Sequence, residues 1–148
     1  MMKKILAVIL AFYMVLFTFV SCQSAEELYA DKAIRVEVSH ISGFETYDEY
    51  DLYFESIKKD EKCDLPKGSA NSYKVDFSIT EISKEGLTIT FSQPMDKTND
   101  GDLEKRELEQ SSFVLETGTS QRFVTPTDGG GDVFEFTIID KADIPADK

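Results

Sequence analysis

The stretch that decides the fold is YKVDFSITEISKEGLTITFSQPM, residues 73–95. Apolar side chains alternate with polar ones up to Ile79, and the alternation returns in LTITF after the tetrapeptide SKEG. Alternation with a period of two is typical of a strand with one buried face. A short turn that ends in Gly86 joins such strands as antiparallel neighbours. The stretch therefore predicts a β-hairpin.

Further alternating runs lie on both sides of this hairpin. They are separated by turn-forming segments such as GTS and TDGGG and cover residues 33–41, 111–117, 121–126 and 132–140. Many short strands at close spacing are typical of an antiparallel β-sandwich. We therefore predict one mostly-β domain over residues 33–140, followed by a polar tail at 141–148.

Residues 47–60 are compatible with two structures. Thr46 and Glu49 have the spacing of a helix capping box, and aromatic and apolar residues follow at helical spacing at Tyr47, Tyr50, Phe54 and Ile57. The same letters are compatible with a strand over residues 51–57. The length and the cap favour a short helix.

The N-terminus is typical of a secretory signal peptide. Lys3 and Lys4 precede an uncharged apolar run over residues 5–20, which the small residue Ser21 follows. That run is short for a permanent transmembrane helix, which needs about 20 apolar residues. The sequence therefore predicts export.

The end of this segment, Phe19-Val20-Ser21-Cys22, resembles a bacterial lipobox, although Leu is more usual at the position of Phe19. The resemblance implies that residues 1–21 are a lipoprotein signal peptide, that Cys22 carries a lipid anchor such as palmitate-containing diacylglycerol, and that residues 22–32 form a tether. An ordinary signal peptide cut near Ser21 or Ser24 is the alternative. Because Gln23 is not Asp, we expect the outer membrane or cell surface rather than retention at the inner membrane.

Composition narrows the classes of partner and of activity. The formal net charge is −12, which disfavours nucleic acid because phosphates would be repelled. The single histidine, His40, lies on a predicted strand face, and no familiar catalytic motif is present. Cys63 is the cysteine left after lipidation, so we expect a partly exposed thiol and no internal disulfide. These features predict a protein that is not an enzyme.

Two segments resemble the S-layer-type bacterial Ig-like domains. The first is Phe-Ser-x-Pro-Met-Asp at residues 91–96, and the second is carried by Ser112, Phe113 and Leu115. The match covers residues 73–139. It implies an Ig-like β-sandwich of cell-surface proteins that serves as a spacer or adhesive unit. The connection after Asp96 is longer than that family's pattern.

This longer connection contains an acidic stretch, DKTNDGDLEKRE, at residues 96–107. Its oxygen-bearing residues fall at the spacing of an EF-hand loop, with Gly101 at the sharp turn and an exiting helix expected over 103–110. The candidate calcium ligands are Asp96, Thr98, Asp100, Asp102, Glu104 and Glu107. Because a strand rather than a helix enters the stretch, a solvated acidic loop is the alternative.

The sequence therefore leaves two functions open. The first is a non-catalytic, membrane-anchored surface or periplasmic lipoprotein. In it an Ig-like module, stabilised by calcium in the EF-hand interpretation, binds or spaces a protein or envelope-polymer partner. The alternative is a small accessory or inhibitor subunit of an exported enzyme complex. In both cases the membrane is contacted through the N-terminal lipid.

Overall fold

The computed structural model describes residues 24–43, 45–69, 71, 73–99, 106–126 and 130–146. These residues form eight strands and two short 3-10 helices, Glu27–Tyr29 and Lys141–Asp143. The strands are β1 Lys32–Ser42, β2 Glu45–Phe54, β3 Lys62–Asp64, β4 Asp76–Ile82, β5 Leu87–Thr98, β6 Arg106–Leu115, β7 Ser120–Val124 and β8 Gly130–Asp140.

All eight strands belong to one antiparallel sheet with the order β2-β1-β8-β7-β5-β4-β3, while β6 pairs with β5 beside this path. The sheet curls into a nearly closed barrel. Its two ends meet through side chains, because the ring of Phe54 on β2 lies 5.0 Å from that of Phe77 on β4. The predicted mostly-β antiparallel fold is confirmed. We call the line where the end strands β2 and β3 face each other the seam.

A cluster of phenylalanines fills the inside of the curled sheet. Phe136 on β8 is fully buried, and four rings from four other strands surround it. The centroid distances from Phe136 are 5.4 Å to Phe77, 5.8 Å to Phe91, 5.4 Å to Phe113 and 6.1 Å to Phe123. Because these rings come from β4, β5, β6 and β7, Phe136 joins most of the sheet in one core.

The predicted hairpin is present as β4 and β5, with Ile79 opposite Ile89. β5 continues through Pro94, and its pairing with β6 shifts register between Thr90 and Met95. The first half of β5 pairs with β4 and the second half with β7. A proline is tolerated at such an irregularity because the ladder is already interrupted there. β5 is therefore the strand that links the two halves of the sheet.

The prediction of a short helix over residues 47–60 is wrong: residues 47–54 belong to strand β2, and residues 55–60 contain no helix. β2 pairs with β1 from Ser42↔Glu45 to Ile34↔Phe54. Leu52 and Phe54 stand opposite Val36 and Ile34, both of which have no exposed surface. Burying that apolar face against β1 outweighs the local helix signals, since propensity is a weak prior.

The predicted tether at 22–32 is shorter than expected. Tyr29 is buried in the core cluster, and its hydroxyl donates to the Ser83 carbonyl oxygen at 3.1 Å. β1 begins at Lys32. At the other end, the tail predicted at 141–148 starts with a 3-10 helix, and the Lys141 backbone N–H donates to the Asp31 carbonyl oxygen at 2.8 Å. Both segments therefore pack on the domain near its boundaries.

Candidate functional site

A groove of about 560 Å³ runs along the seam. Inward-facing residues of β2 form one wall, and the segment from β3 towards β4 forms the other. The lining residues are Tyr50, Leu52, Tyr53, Phe54, Asp64, Leu65, Pro66, Lys67 and Lys74. The groove combines an apolar floor with a few hydroxyl and charged groups at its rim, which is the usual composition of a binding site.

The wall formed by β2 is the edge of the sheet. β2 stands at the end of the strand order, and β1 is its pairing partner among the described strands. In an antiparallel strand alternate residues direct their N–H and C=O groups away from the neighbour. β3 at the opposite end has three residues, so it is too short to cover the ten residues of β2. The groove therefore follows a long open strand edge.

A buried polar cluster lies at one end of this groove. His40 on β1 and Asp132 on β8 are 4% and 1% exposed. His40 Nδ1 lies 2.6 Å from Asp132 Oδ1, and Nε2 lies 2.9 Å from the hydroxyl of Tyr50. Burial, with the charges of Asp48 and Asp132, raises the pKa of Tyr50. Tyr50 therefore keeps its proton, and both ring nitrogens of His40 have a hydrogen-bond partner.

Asp132 also fixes the far wall of the groove. Its carboxylate accepts hydrogen bonds from the Gly68 backbone N–H at 3.0 Å and from Asn71 Nδ2 at 2.8 Å. Asn71 Nδ2 and the Asp132 backbone N–H both donate to Thr125 Oγ1 at 3.0 Å. The loop that carries Pro66 is therefore attached to β8 by a buried carboxylate that is fully hydrogen-bonded.

Gly68 is required for this close approach. A Cβ at this position would come within 2.8 Å of Asp132 Oδ1 and 3.0 Å of His40 Nδ1, and it would also collide with the Tyr47 hydroxyl. The Tyr47 ring covers the cluster from outside, with its centroid 5.8 Å from that of His40. These contacts enclose the imidazole of His40 and hold it in place. The polar cluster thereby fixes the two walls of the groove relative to each other.

Sequence reasoning placed His40 on a strand face and missed its partners. Acidic residues and tyrosines are abundant in this chain, so nothing local distinguishes Asp132 or Tyr50. The register of β1 with β8 places His40 directly opposite Asp132. A topology with the first and last long strands paired would have indicated the contact.

The acidic stretch is partly described. Asp100, Asp102 and Glu104 lie outside the described residues, whereas Asp96 and Thr98 are on β5 and Glu107 is on β6. The exiting helix expected over 103–110 is wrong from residue 106 onward, where β6 runs.

The three described members do not converge on a shared point. Thr98 pairs with Arg106, and Lys97 pairs with Glu107, so Glu107 projects from the opposite face of the ladder to Thr98. Asp96 is buried, and its carboxylate already accepts the Glu109 backbone N–H at 3.1 Å and faces Arg106 Nη1 at 3.5 Å. Within the described ranges no group of three His, Cys, Asp or Glu residues has a geometry that would hold a metal ion.

The structure describes one of the two cysteines. Cys22, the predicted lipidation site, lies outside the described residues, so lipidation stays a prediction. Cys63 on β3 was expected to be partly exposed, but it is buried. Burial, with the nearby charges of Glu61 and Asp64, raises the pKa of the Cys63 thiol to about 11. The thiol therefore stays protonated at neutral pH and is a poor nucleophile.

No protein-family model, characterised protein or solved structure matches this chain. In the part of the chain that the structure describes, neither short helix has the length or the apolar character needed to cross a bilayer.

Proposed function

We propose that this protein is a non-catalytic, exported lipoprotein, anchored through Cys22, that binds a partner in the groove at the seam. The observation that carries the proposal is the coincidence of an apolar groove with the open edge of β2. A purely structural module normally blunts or covers such an edge, because exposed strand edges promote unwanted pairing. An accessible, aromatic-lined edge of ten residues is therefore best explained by a partner that occupies it.

The predicted signal peptide and the resemblance to a lipobox support an envelope location for this module. A lipid on Cys22 leaves few residues before the 3-10 helix that begins at Glu27. A module attached this closely faces the membrane or a neighbouring envelope protein. The net charge of −12 opposes direct contact with anionic lipid head groups, so a protein or envelope-polymer partner fits better.

We also propose a relation to the S-layer-type Ig-like domains, on the basis of the two motif segments. Residues of the two segments are adjacent in space, since the rings of Phe91 on β5 and Phe113 on β6 stack with their centroids 5.5 Å apart. Met95 fills the core with no exposed surface, and Asp96 fixes the backbone of β6 at Glu109. Glu109 has a positive φ of 57°, which a non-glycine residue adopts only when its surroundings hold it. The motif therefore has a structural role at the bend of β5.

One observation favours the alternative of an accessory or inhibitor subunit. Tyr47 on β2 is 47% exposed beside the acidic residues Glu45, Asp48 and Glu49. Tyrosines at a charged surface are typical of protein–protein contacts. In this alternative the groove partner is an exported enzyme, and the same residues make the contact.

The proposed function predicts a specific cross-link at the groove. A photoreactive phenylalanine at Leu52 should capture one partner in native membranes, whereas the same residue at Leu108 should not. Leu108 is 65% exposed on β6 and does not line the groove, so it controls for random contact. A Cys22→Ala variant should lose membrane attachment and the cross-link together. Equal capture at both positions, or membrane attachment of Cys22→Ala, would contradict the proposal.

Calcium stabilisation remains a prediction, and the geometry reduces the number of candidate ligands. Because Asp96 has its own partners and Glu107 faces away, Thr98, Asp100, Asp102 and Glu104 are the remaining candidate ligands. Calcium at ten times its Kd should stabilise the chain by about 1.4 kcal/mol. We expect a higher melting temperature with millimolar calcium than with chelator, kept by Glu107→Ala and lost by Asp100→Ala/Asp102→Ala. Equal melting temperatures would leave a solvated acidic loop.

A further inference from the structure

The two faces of β2 offer different surroundings to anything that lies beside it. Its buried-face residues Leu52 and Phe54 stand opposite Val36 and Ile34 of β1, and both line the groove. Its outer-face residues Glu49 and Asp51 stand opposite Ser39 and Glu37. An added strand would therefore place alternate side chains against apolar surface and against carboxylates.

Charge decides what kind of strand can lie there. β2 carries four acidic residues and no basic one, namely Glu45, Asp48, Glu49 and Asp51. Asp51 has a cationic neighbour, Arg35 Nη2 at 3.0 Å. A second copy pairing antiparallel through β2 would double the carboxylates on one ladder, and like charges opposite one another destabilise a sheet. The edge therefore disfavours self-association and favours a cationic partner.

The wall opposite β2 is also suited to an added strand. Leu65 is buried and Pro66 borders the groove, so an apolar side chain entering from an added strand meets apolar surface on both sides. This wall is held at a fixed distance from β1 and β8 by the Asp132 hydrogen bonds to Gly68 and Asn71. A preformed slot reduces the entropy lost on binding.

We propose that the groove takes an extended segment of a partner protein as an added strand on β2, with apolar and cationic side chains alternating along the segment. This inference rests on the proposed function and names the chemistry of its partner. Backbone hydrogen bonds to the outer edge of β2 supply affinity. The alternation supplies specificity, since apolar residues enter the groove while lysine or arginine faces Glu49 and Asp51.

The test uses the full chain purified from membranes in detergent and the blocked peptide Lys-Val-Lys-Val-Lys-Val-Lys. We expect this alternating peptide to bind at least tenfold more tightly than a blockwise peptide, which has the same composition with all lysines before all valines. In an extended peptide the N–H groups of the lysines point to one edge and those of the valines to the other. N-methylation of the set that faces β2 should therefore abolish binding. N-methylation of the other set should change the Kd by less than about threefold.

Two matched charge variants separate the edge from the net charge. Glu49→Lys should weaken binding of the alternating peptide by about threefold to tenfold, because it places like charges opposite each other. Glu116→Lys makes the same change of charge at an exposed position after β6, and it should leave binding unchanged. Amide exchange of β2 should slow when the peptide is bound, since added hydrogen bonds protect the edge.

Other results would overturn the inference. These are equal binding of the blockwise peptide, binding of both methylated peptides, equal weakening by the two lysine variants, or occupation of the groove by an envelope polysaccharide and not by peptide. If the cross-link at Leu52 still captures a partner while the alternating peptide fails, the binding module stands and strand addition falls. If the peptide binds but no partner is captured in membranes, the proposed function falls instead.

Discussion

Replacing Phe136 by alanine should lower the free energy of unfolding by about 3–5 kcal/mol. The ring is fully buried and has four phenylalanine neighbours on β4, β5, β6 and β7. Its removal leaves a cavity that these strands cannot close, because the sheet fixes their spacing. A loss of this size is a large part of the usual stability of a domain, so a substantial unfolded population at 37 °C is expected.

The measurement is urea denaturation at 25 °C, followed by tyrosine fluorescence and circular dichroism because the chain has no tryptophan. Phe136→Leu keeps most of the volume and should cost about 1–2 kcal/mol. Val114→Ala, at a position that is 48% exposed, should change stability by less than about 0.5 kcal/mol. If Phe136→Ala cost no more than Val114→Ala, the central position assigned to Phe136 would be wrong.

Much of this fold follows from local alternation in the sequence. β4 and β5 were predicted because Phe77, Ile79, Ile89 and Phe91 alternate with polar residues across a short turn. β1 and β8 followed from the same pattern. What alternation does not contain is strand order: the pairing of β1 with β8 is a contact between the beginning and the end of the domain. Long-range pairing depends on the packing of whole faces, which no short window encodes.

The misassigned segment shows where local signals compete. Thr46 and Glu49 have capping-box spacing, yet both lie in β2. The capping signal is worth about 1 kcal/mol, whereas burying apolar side chains such as Leu52 and Phe54 against β1 contributes about 1.5–3 kcal/mol for each one fully buried. Tertiary burial therefore decides the conformation. The same outcome creates the candidate site, because a helix here would have left no open strand edge at the seam.

The site was less predictable than the fold. The sequence pointed to the acidic stretch because carboxylates at regular spacing are visible in one dimension. The structure instead brings together His40, Tyr50 and Asp132 from three strands, and their spacing along the chain carries no motif. Their importance comes from burial, since a buried carboxylate must satisfy its hydrogen bonds within the fold.

Replacing Asp132 by alanine should therefore have the second large effect, a loss of about 3–5 kcal/mol in the free energy of unfolding. The substitution removes the carboxylate acceptor of three groups, the Gly68 N–H, Asn71 Nδ2 and His40 Nδ1. Asn71 Nδ2 keeps its second acceptor, Thr125 Oγ1. Each unsatisfied buried group costs about 1–3 kcal/mol. Asp132→Asn retains one acceptor oxygen and a similar shape, so it should lose less. The exposed Asp143→Ala should change stability by less than about 0.5 kcal/mol.

A second measurement separates this role from general destabilisation. Because Asp132 attaches the loop at Gly68 and Asn71 to β8, Asp132→Asn should speed amide exchange at Gly68 while leaving β5 protected. The same variant should weaken binding of the alternating peptide, since the wall that carries Pro66 loses its attachment. Phe136→Leu destabilises the core without touching this wall. The fraction of this variant that stays folded should therefore bind the peptide with the same Kd as the unsubstituted protein. If the two variants weakened binding equally, the buried carboxylate would be a support of the whole fold and not of the groove.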